Sequence, residues 1–281
     1  GKTTTIKLLT GLIYPSSGTA TLFGKAIDSP EARRMVGYMP EQPYFYEYLT
    51  PRETLDFYGR LRGLSGAARQ KEWDYISELL DLRGIAVHGA VITGRIRGFS
   101  KGMRQRVGFA VALVGDPPLL ILDEPMSGLD PLGRRMIREL MKQLNAMGKT
   151  IFFSSHVLSD VEEICGRVGI LVSGKLAACD RIENLVGSVP KSVEMEAAGL
   201  PPEVAAGLRD GTLRFASGDD GRCSLVVPDL ENANRVAKEI HASGGTLVSM
   251  HPVIESLEDF FTRIQEGAGV EDAPGESQRM I

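Results

Sequence analysis

Cysteine is scarce in this chain. Three residues, Cys165, Cys179 and Cys223, are scattered through 281 positions with no C-x-x-C pair. That excludes a disulfide framework and a cysteine-based zinc site, and it fits a reducing cytosol. Long apolar runs are missing as well. A membrane-spanning helix needs roughly 20 apolar residues, and the best stretch, VGFAVALVG from Val107, stops at Asp116-Pro117. Nor is there a surplus of positive charge, since 32 Lys and Arg face 36 Asp and Glu for a net charge of -4. Nucleic-acid binding usually needs a basic balance, so no nucleic-acid partner is expected. What is present is ordinary for a globular protein, with 43% hydrophobic and 24% charged residues, and the length leaves room for more than one domain.

Periodicity divides the chain into two halves of different character. Ile6, Leu9, Leu12 and Ile13 fall at helical spacing, and TATLFGKAI then alternates as a hairpin about Gly24. RRMVGYMP reads as a strand running into an aromatic loop. Thr50, Pro51 and Glu53 form the cap, first-turn proline and capping box of a helix. QKEWDYISELLDL is a further helix, and SKGMRQRVGFAVALVG is one that opens at Ser100. PLLILDEP and KTIFFSSH read as two buried strands of the parallel type. Between them lies a long helix ended by Gly148, and after them a helix capped at Ser159 and a hairpin, GILVSGKLAACD. Strand and helix alternate, so this half is α/β. Past Val186, GSVPKS reads as a linker, and the remainder reads as a β-α-β-β-α-β set with the order of a ferredoxin-like sandwich. An amphipathic helix, SLEDFFTRIQ, follows it. Residues 267–281 have the composition of a disordered tail.

The chemistry concentrates in short motifs. In LLILDEPMSGLDP, an apolar strand delivers Asp123 and Glu124 to its carboxyl end, where α/β folds place ligands. One such carboxylate suits a magnesium ion through its waters, and its neighbour suits an attacking water. A pair of surface acids would look the same in isolation. FSKGM puts Ser100 and Gly102 at a helix start, with bare N–H groups and the positive end of a dipole; a merely capped helix is the bland alternative. His156 follows the second strand, and Glu41-Gln42 follow the first. Gly1-Lys2-Thr3 matches the back of a phosphate loop, G-x-x-x-x-G-K-[ST].

In this fixed order the motifs resemble the ATP-binding subunit of ABC transporters, over about residues 1–186. The resemblance implies a P-loop nucleotide-binding domain with a helical subdomain at about 43–100, followed at 187–266 by the small α+β domain. It implies that Gly1, Lys2 and Thr3 close the phosphate loop with Lys2 on the β- and γ-phosphates of ATP, that Thr4 neighbours the α-phosphate, and that Thr3 and Asp123 hold Mg²⁺. Glu124 then becomes the base for water and His156 the switch histidine. Ser100 and Gly102 close over the nucleotide of a second subunit, and Asp130 of the SGLD loop, also counted among the ATP-binding residues, communicates across the dimer, so a dimer is implied. One ATP-binding cassette followed by a domain ending in SLEDFF resembles bacterial exporters whose permease is a separate chain. A cytoplasmic protein, peripheral on the inner face of the membrane, is then expected, with Tyr44, Phe45, Tyr46 and Tyr48 lining the groove for the permease.

Three departures from the family pattern stand out. Lys101 and Met103 replace a Gly and a Gln in the signature. Glu41 rather than Gln42 falls at the Q-loop position. The front of the phosphate loop and the adenine-stacking residue would lie upstream of Gly1, so the chain reads as a fragment expected to bind ATP weakly or not at all. Alternative readings are a soluble ABC ATPase without a transport role and an inactive fragment.

Overall fold

The computed structural model describes residues 1–80, 82, 86–87, 90–91, 94–186, 190–209, 212–218 and 221–266. Of the expected linker, residues 187–189 lie outside the described residues, as does the expected tail, 267–281. The described chain separates into two compact units. One comprises Gly1–Ile164 with Leu171–Lys175, and the other Cys165–Ile170 with the described residues from Leu176 onward.

The first unit opens with helix α1 (Lys2–Leu9), a short hairpin of β1 (Thr21–Leu22) and β2 (Lys25–Ala26), and α2 (Pro30–Arg34). Strand β3 (Val36–Met39) leads to α3 (Pro51–Leu61) and α4 (Gly66–Leu79). The pair β4 (Ala86–Val87) and β5 (Ala90–Val91) precedes α5 (Lys101–Leu113), β6 (Leu119–Leu122), α6 (Pro131–Ala146), β7 (Thr150–Phe153) and α7 (Leu158–Ile164). The α3 start is built as its sequence specifies. Thr50 Oγ1 accepts from Glu53 N at 3.2 Å while Glu53 Oε2 accepts from Thr50 N at 2.8 Å, satisfying two of the donors a helix start leaves open. Helix α2, by contrast, has no long apolar period to announce it. Its signal is local, with Ser29 accepting from Ala32 N and proline in the first turn.

Strands β3, β6 and β7 form a parallel sheet in that order. Met39 aligns with Leu122, and Leu122 with Phe153. All three strands therefore end at one edge, so the residues that follow them are neighbours. Strand β6 is buried throughout. The expectation that β7 is equally buried is corrected, because Thr150 and Phe152 are exposed and Ile151 and Phe153 only half-buried. Among the described strands β7 pairs with β6 alone, and an apolar run reads the same at a sheet margin as at its centre. Helix α7 also begins one residue earlier than its expected cap, so Ser159 lies inside it. It is Ser155 Oγ that turns the chain there, accepting from Val157 N at 3.0 Å.

Close approach of α5 to β3 depends on small residues. A Cβ on Gly37 would run into the Ala112 carbonyl oxygen, with Leu120 and Pro117 atoms 2.8 Å away. Phe109, Met39, Leu120, Leu122 and Met141 fill the core this contact creates.

The second unit begins in the hairpin of β8 (Arg167–Val172) and β9 (Lys175–Arg181), with α8 (Ile182–Leu185) after it. Then come β10 (Ser192–Ala198), α9 (Pro202–Arg209), β11 (Arg214–Ser217), β12 (Arg222–Val227), α10 (Leu230–Ala242), β13 (Thr246–Val253) and α11 (Leu257–Glu266). The sheet order is β11-β12-β10-β13, antiparallel at every pairing. That is the order of a ferredoxin-like sandwich. Strict alternation on β10 sends Val193, Met195 and Ala197 into a core with Leu225, Val236 and Ile240, and leaves Glu194 and Glu196 in solvent.

Candidate nucleotide-hydrolysis site

The carboxyl edge of the parallel sheet collects Asp123-Glu124 from β6 and Ser154-Ser155-His156 from β7. Helix α1 brings Lys2 and Thr3 to the same place. Lys2 Nζ lies 3.0 Å from Glu124 Oε1 and donates to the Ser155 carbonyl at 2.9 Å. His156 Nδ1 stands 2.8 Å from Glu124 Oε2, and the His156 backbone N–H donates to the same oxygen at 3.3 Å. Both oxygens of Glu124 are thus held, one by a cation and one by the histidine.

Asp123 is 1% exposed and Glu124 9%. A buried carboxylate is tolerable only with partners, and each has them. Asp123 Oδ1 accepts from Ser154 Oγ at 2.7 Å and from Thr3 Oγ1 at 3.4 Å. Burial pushes the Glu124 carboxyl up, but hydrogen bonds and charge from Lys2 and His156 outweigh it and hold it below the usual carboxylate range. Glu124 also has φ +47°, a left-handed conformation that a residue with a side chain adopts at a cost of about 1–3 kcal/mol. Its N–H donates to Ser154 Oγ at 3.0 Å.

Not every expected site residue joins this cluster. Gly1 caps α1, its carbonyl accepting from Thr5 N at 2.9 Å, and Thr4 is exposed. Glu41 and Gln42 are exposed just past β3, and neither side chain bonds another described residue. Ser100 caps α5, accepting from Met103 N at 3.3 Å, and Asp130 caps α6, accepting from Gly133 N at 2.9 Å. These two helix starts are linked to each other. A Cβ on Gly102 would touch Leu129 at 3.6 Å, and the Lys101 side chain fills the space beside Gly128, where φ is +65°. The left-handed backbone and the crowding by Lys101 both favour a glycine at 128. Of the aromatics after β3, Tyr44, Tyr46 and Tyr48 are exposed, whereas Phe45 packs against the core. Phe45 is half-buried, so of these four aromatics it offers the least open surface.

Two participants carried no sequence signal strong enough to single them out, Ser154 and the Ser155 carbonyl. Serine is common at strand ends. Only the register opposite Leu122-Asp123 gives Ser154 its meaning.

A profile of the ABC transporter family matches residues 1–127. An uncharacterized ABC transporter ATP-binding protein of Nostoc sp. is 40% identical over 93% of this chain and 75% of its own length. The chain belongs to the ABC transporter ATP-binding proteins. The Nod factor export ATP-binding protein I of Cupriavidus metallidurans is 32% identical over 94% of this ABC protein and 84% of its own length. A solved structure of the ATP binding subunit of an ABC transporter superposes with a TM-score of 0.58 at 35% identity, covering 66% of this chain and 75% of that one. As an ABC ATPase the protein binds and hydrolyses ATP, and the parallel sheet with its carboxyl-edge acids is the P-loop nucleotide-binding fold of that family. No helix among the described residues is long and apolar enough to cross a membrane.

Proposed function

We propose that this ABC ATPase hydrolyses Mg-ATP on Glu124 and His156, as one of two subunits, and drives export of a substrate through a separate membrane-spanning permease at the inner face of the membrane. The convergence of Lys2 and His156 on the two oxygens of Glu124, at 3.0 and 2.8 Å, carries this reading. Without nucleotide, Lys2 neutralises the base. ATP phosphates are stronger anions and compete for the same ammonium, with Gly1 and Thr4 beside them. Once Lys2 turns to the β- and γ-phosphates, Glu124 Oε1 is free to accept a proton from the attacking water while His156 steadies Oε2.

Thr3 and Asp123 supply a hydroxyl and a carboxylate oxygen, the hard donors that suit Mg²⁺. Among the described residues no cluster of three or more His, Cys, Asp or Glu could hold a metal by protein alone. When bound, Mg²⁺ neutralises charge on the phosphoryl oxygens. Glu41 or Gln42 reports on it from the end of β3. Ser100 and Gly102 serve the nucleotide of the facing subunit, and Asp130 belongs to the loop that communicates across the dimer, which accounts for Ser100 and Asp130 capping α5 and α6 rather than joining the Lys2 cluster. Exposed Tyr44, Tyr46 and Tyr48 offer the permease an aromatic surface. The lean toward export rests on the SLEDFF-ending domain and on the similarity to the Nod factor export protein.

Complementation tests this reading. A Ser100→Ala subunit mixed with a Lys2→Ala subunit leaves one composite site whole in the heterodimer, whereas each pure variant has none. Turnover should rise on mixing toward a fraction of wild type. No rise, with heterodimers shown to form, would refute the composite site.

A further inference from the structure

We propose that Ser154 is a positioning residue of the hydrolytic site, holding the metal-side acid and the base in register through one hydroxyl. This rests on the roles assigned above to Asp123 and Glu124. The hydroxyl is 6% exposed as part of its residue and is used in both senses. It donates to Asp123 Oδ1 at 2.7 Å and accepts from Glu124 N at 3.0 Å. A serine hydroxyl has one proton to give, so the donation to Asp123 leaves its lone pairs to receive the Glu124 amide. The two bonds fix each other's direction.

The consequences differ for the two acids. Asp123 Oδ1 is the oxygen that Thr3 also approaches, at 3.4 Å, so Ser154 sets where the carboxylate faces the hydroxyl across from it. Glu124 has φ +47°, and such a conformation persists only where the surroundings over-determine it. Met39 O, which accepts from Asp123 N at 2.8 Å, fixes the residue before. Ser154 Oγ fixes Glu124 itself, on an amide that no strand partner reaches after β6 ends at Leu122. Without the hydroxyl, the buried Glu124 N–H loses its acceptor, and the backbone has reason to relax toward negative φ. That would swing Oε1 and Oε2 away from Lys2 and His156. Partners of this kind, which orient a metal-binding or catalytic group without touching substrate, typically cost 10–100-fold when removed.

The variants Ser154→Ala and Ser154→Thr decide the matter, the second keeping the hydroxyl. Ser154→Ala should lower kcat for ATP by about 10–100-fold with KM for ATP moved less than about threefold, and raise the Mg²⁺ concentration for half-activation about tenfold. Ser154→Thr should recover most of both. Hydrogen exchange in the nucleotide-free protein gives a readout independent of turnover, and the Glu124 amide should exchange at least about tenfold faster in Ser154→Ala. Wild-type kcat and Mg²⁺ dependence in Ser154→Ala would overturn the proposal. So would equal losses in both variants with a common fall in Tm, which mark a packing role only. Were the wild type to show no ATP turnover, the kinetic arm would bear on the proposed hydrolysis and not on Ser154. The exchange rate at Glu124 would still judge the hydroxyl, and an unchanged rate would overturn it.

Discussion

Lys2 is the residue on which the charge balance of the site turns. Burial alone would raise the Glu124 carboxyl, and the ammonium 3.0 Å away is the first of the groups that bring it below the ordinary value of 4.5. Lys2→Ala should therefore move the Glu124 titration upward, followed by carbon NMR of its carboxyl in the nucleotide-free protein. An unmoved titration would contradict the pairing. The sign for stability follows from the same shift. A carboxyl whose folded pKa is depressed contributes stability that is fully present above its unfolded pKa, near 4.5, and is lost as pH falls through the lower folded value. The penalty of Lys2→Ala on Tm should thus be largest near neutrality and fade in acid.

At the scale of elements, the acid-bearing edge exists because α5 can lie close on β3 and three strands end level. Gly37→Ala places a methyl against the Ala112 carbonyl oxygen, and overpacking of this kind costs about 1–3 kcal/mol. A lowered urea midpoint with unchanged m-value should register it; an unchanged midpoint would mean that the contact yields freely. Elements with complete local signals were legible beforehand. Thr50-Pro51-Glu53 announces α3, Ser100 announces α5, and the strand and helix order of the second unit announces its sheet. What stayed hidden depends on pairing. The apolar run of β7 cannot say that Phe152 faces solvent. Ser155 rather than Ser159 turns the chain into α7 because its hydroxyl reaches Val157. Ser154 acquires a role only through the register of β7 with β6. The acid pair, Lys2, Thr3 and His156 were legible as candidates from motif order, and their mutual distances were not.

For the molecule as a whole, the central claim is that this ABC ATPase works through Glu124, held by Lys2 until nucleotide takes the lysine away. Steady-state ATP hydrolysis and calorimetric titration with Mg-ATP, carried out together on the wild type and Glu124→Gln, test it most directly. Removing the carboxylate abolishes the base but leaves the phosphate and metal contacts in place. The account predicts a fall in turnover of about 10²-fold or more, with nucleotide affinity kept or raised because Lys2 is no longer engaged. Near-wild-type turnover in Glu124→Gln, or loss of binding in step with loss of turnover, would contradict it.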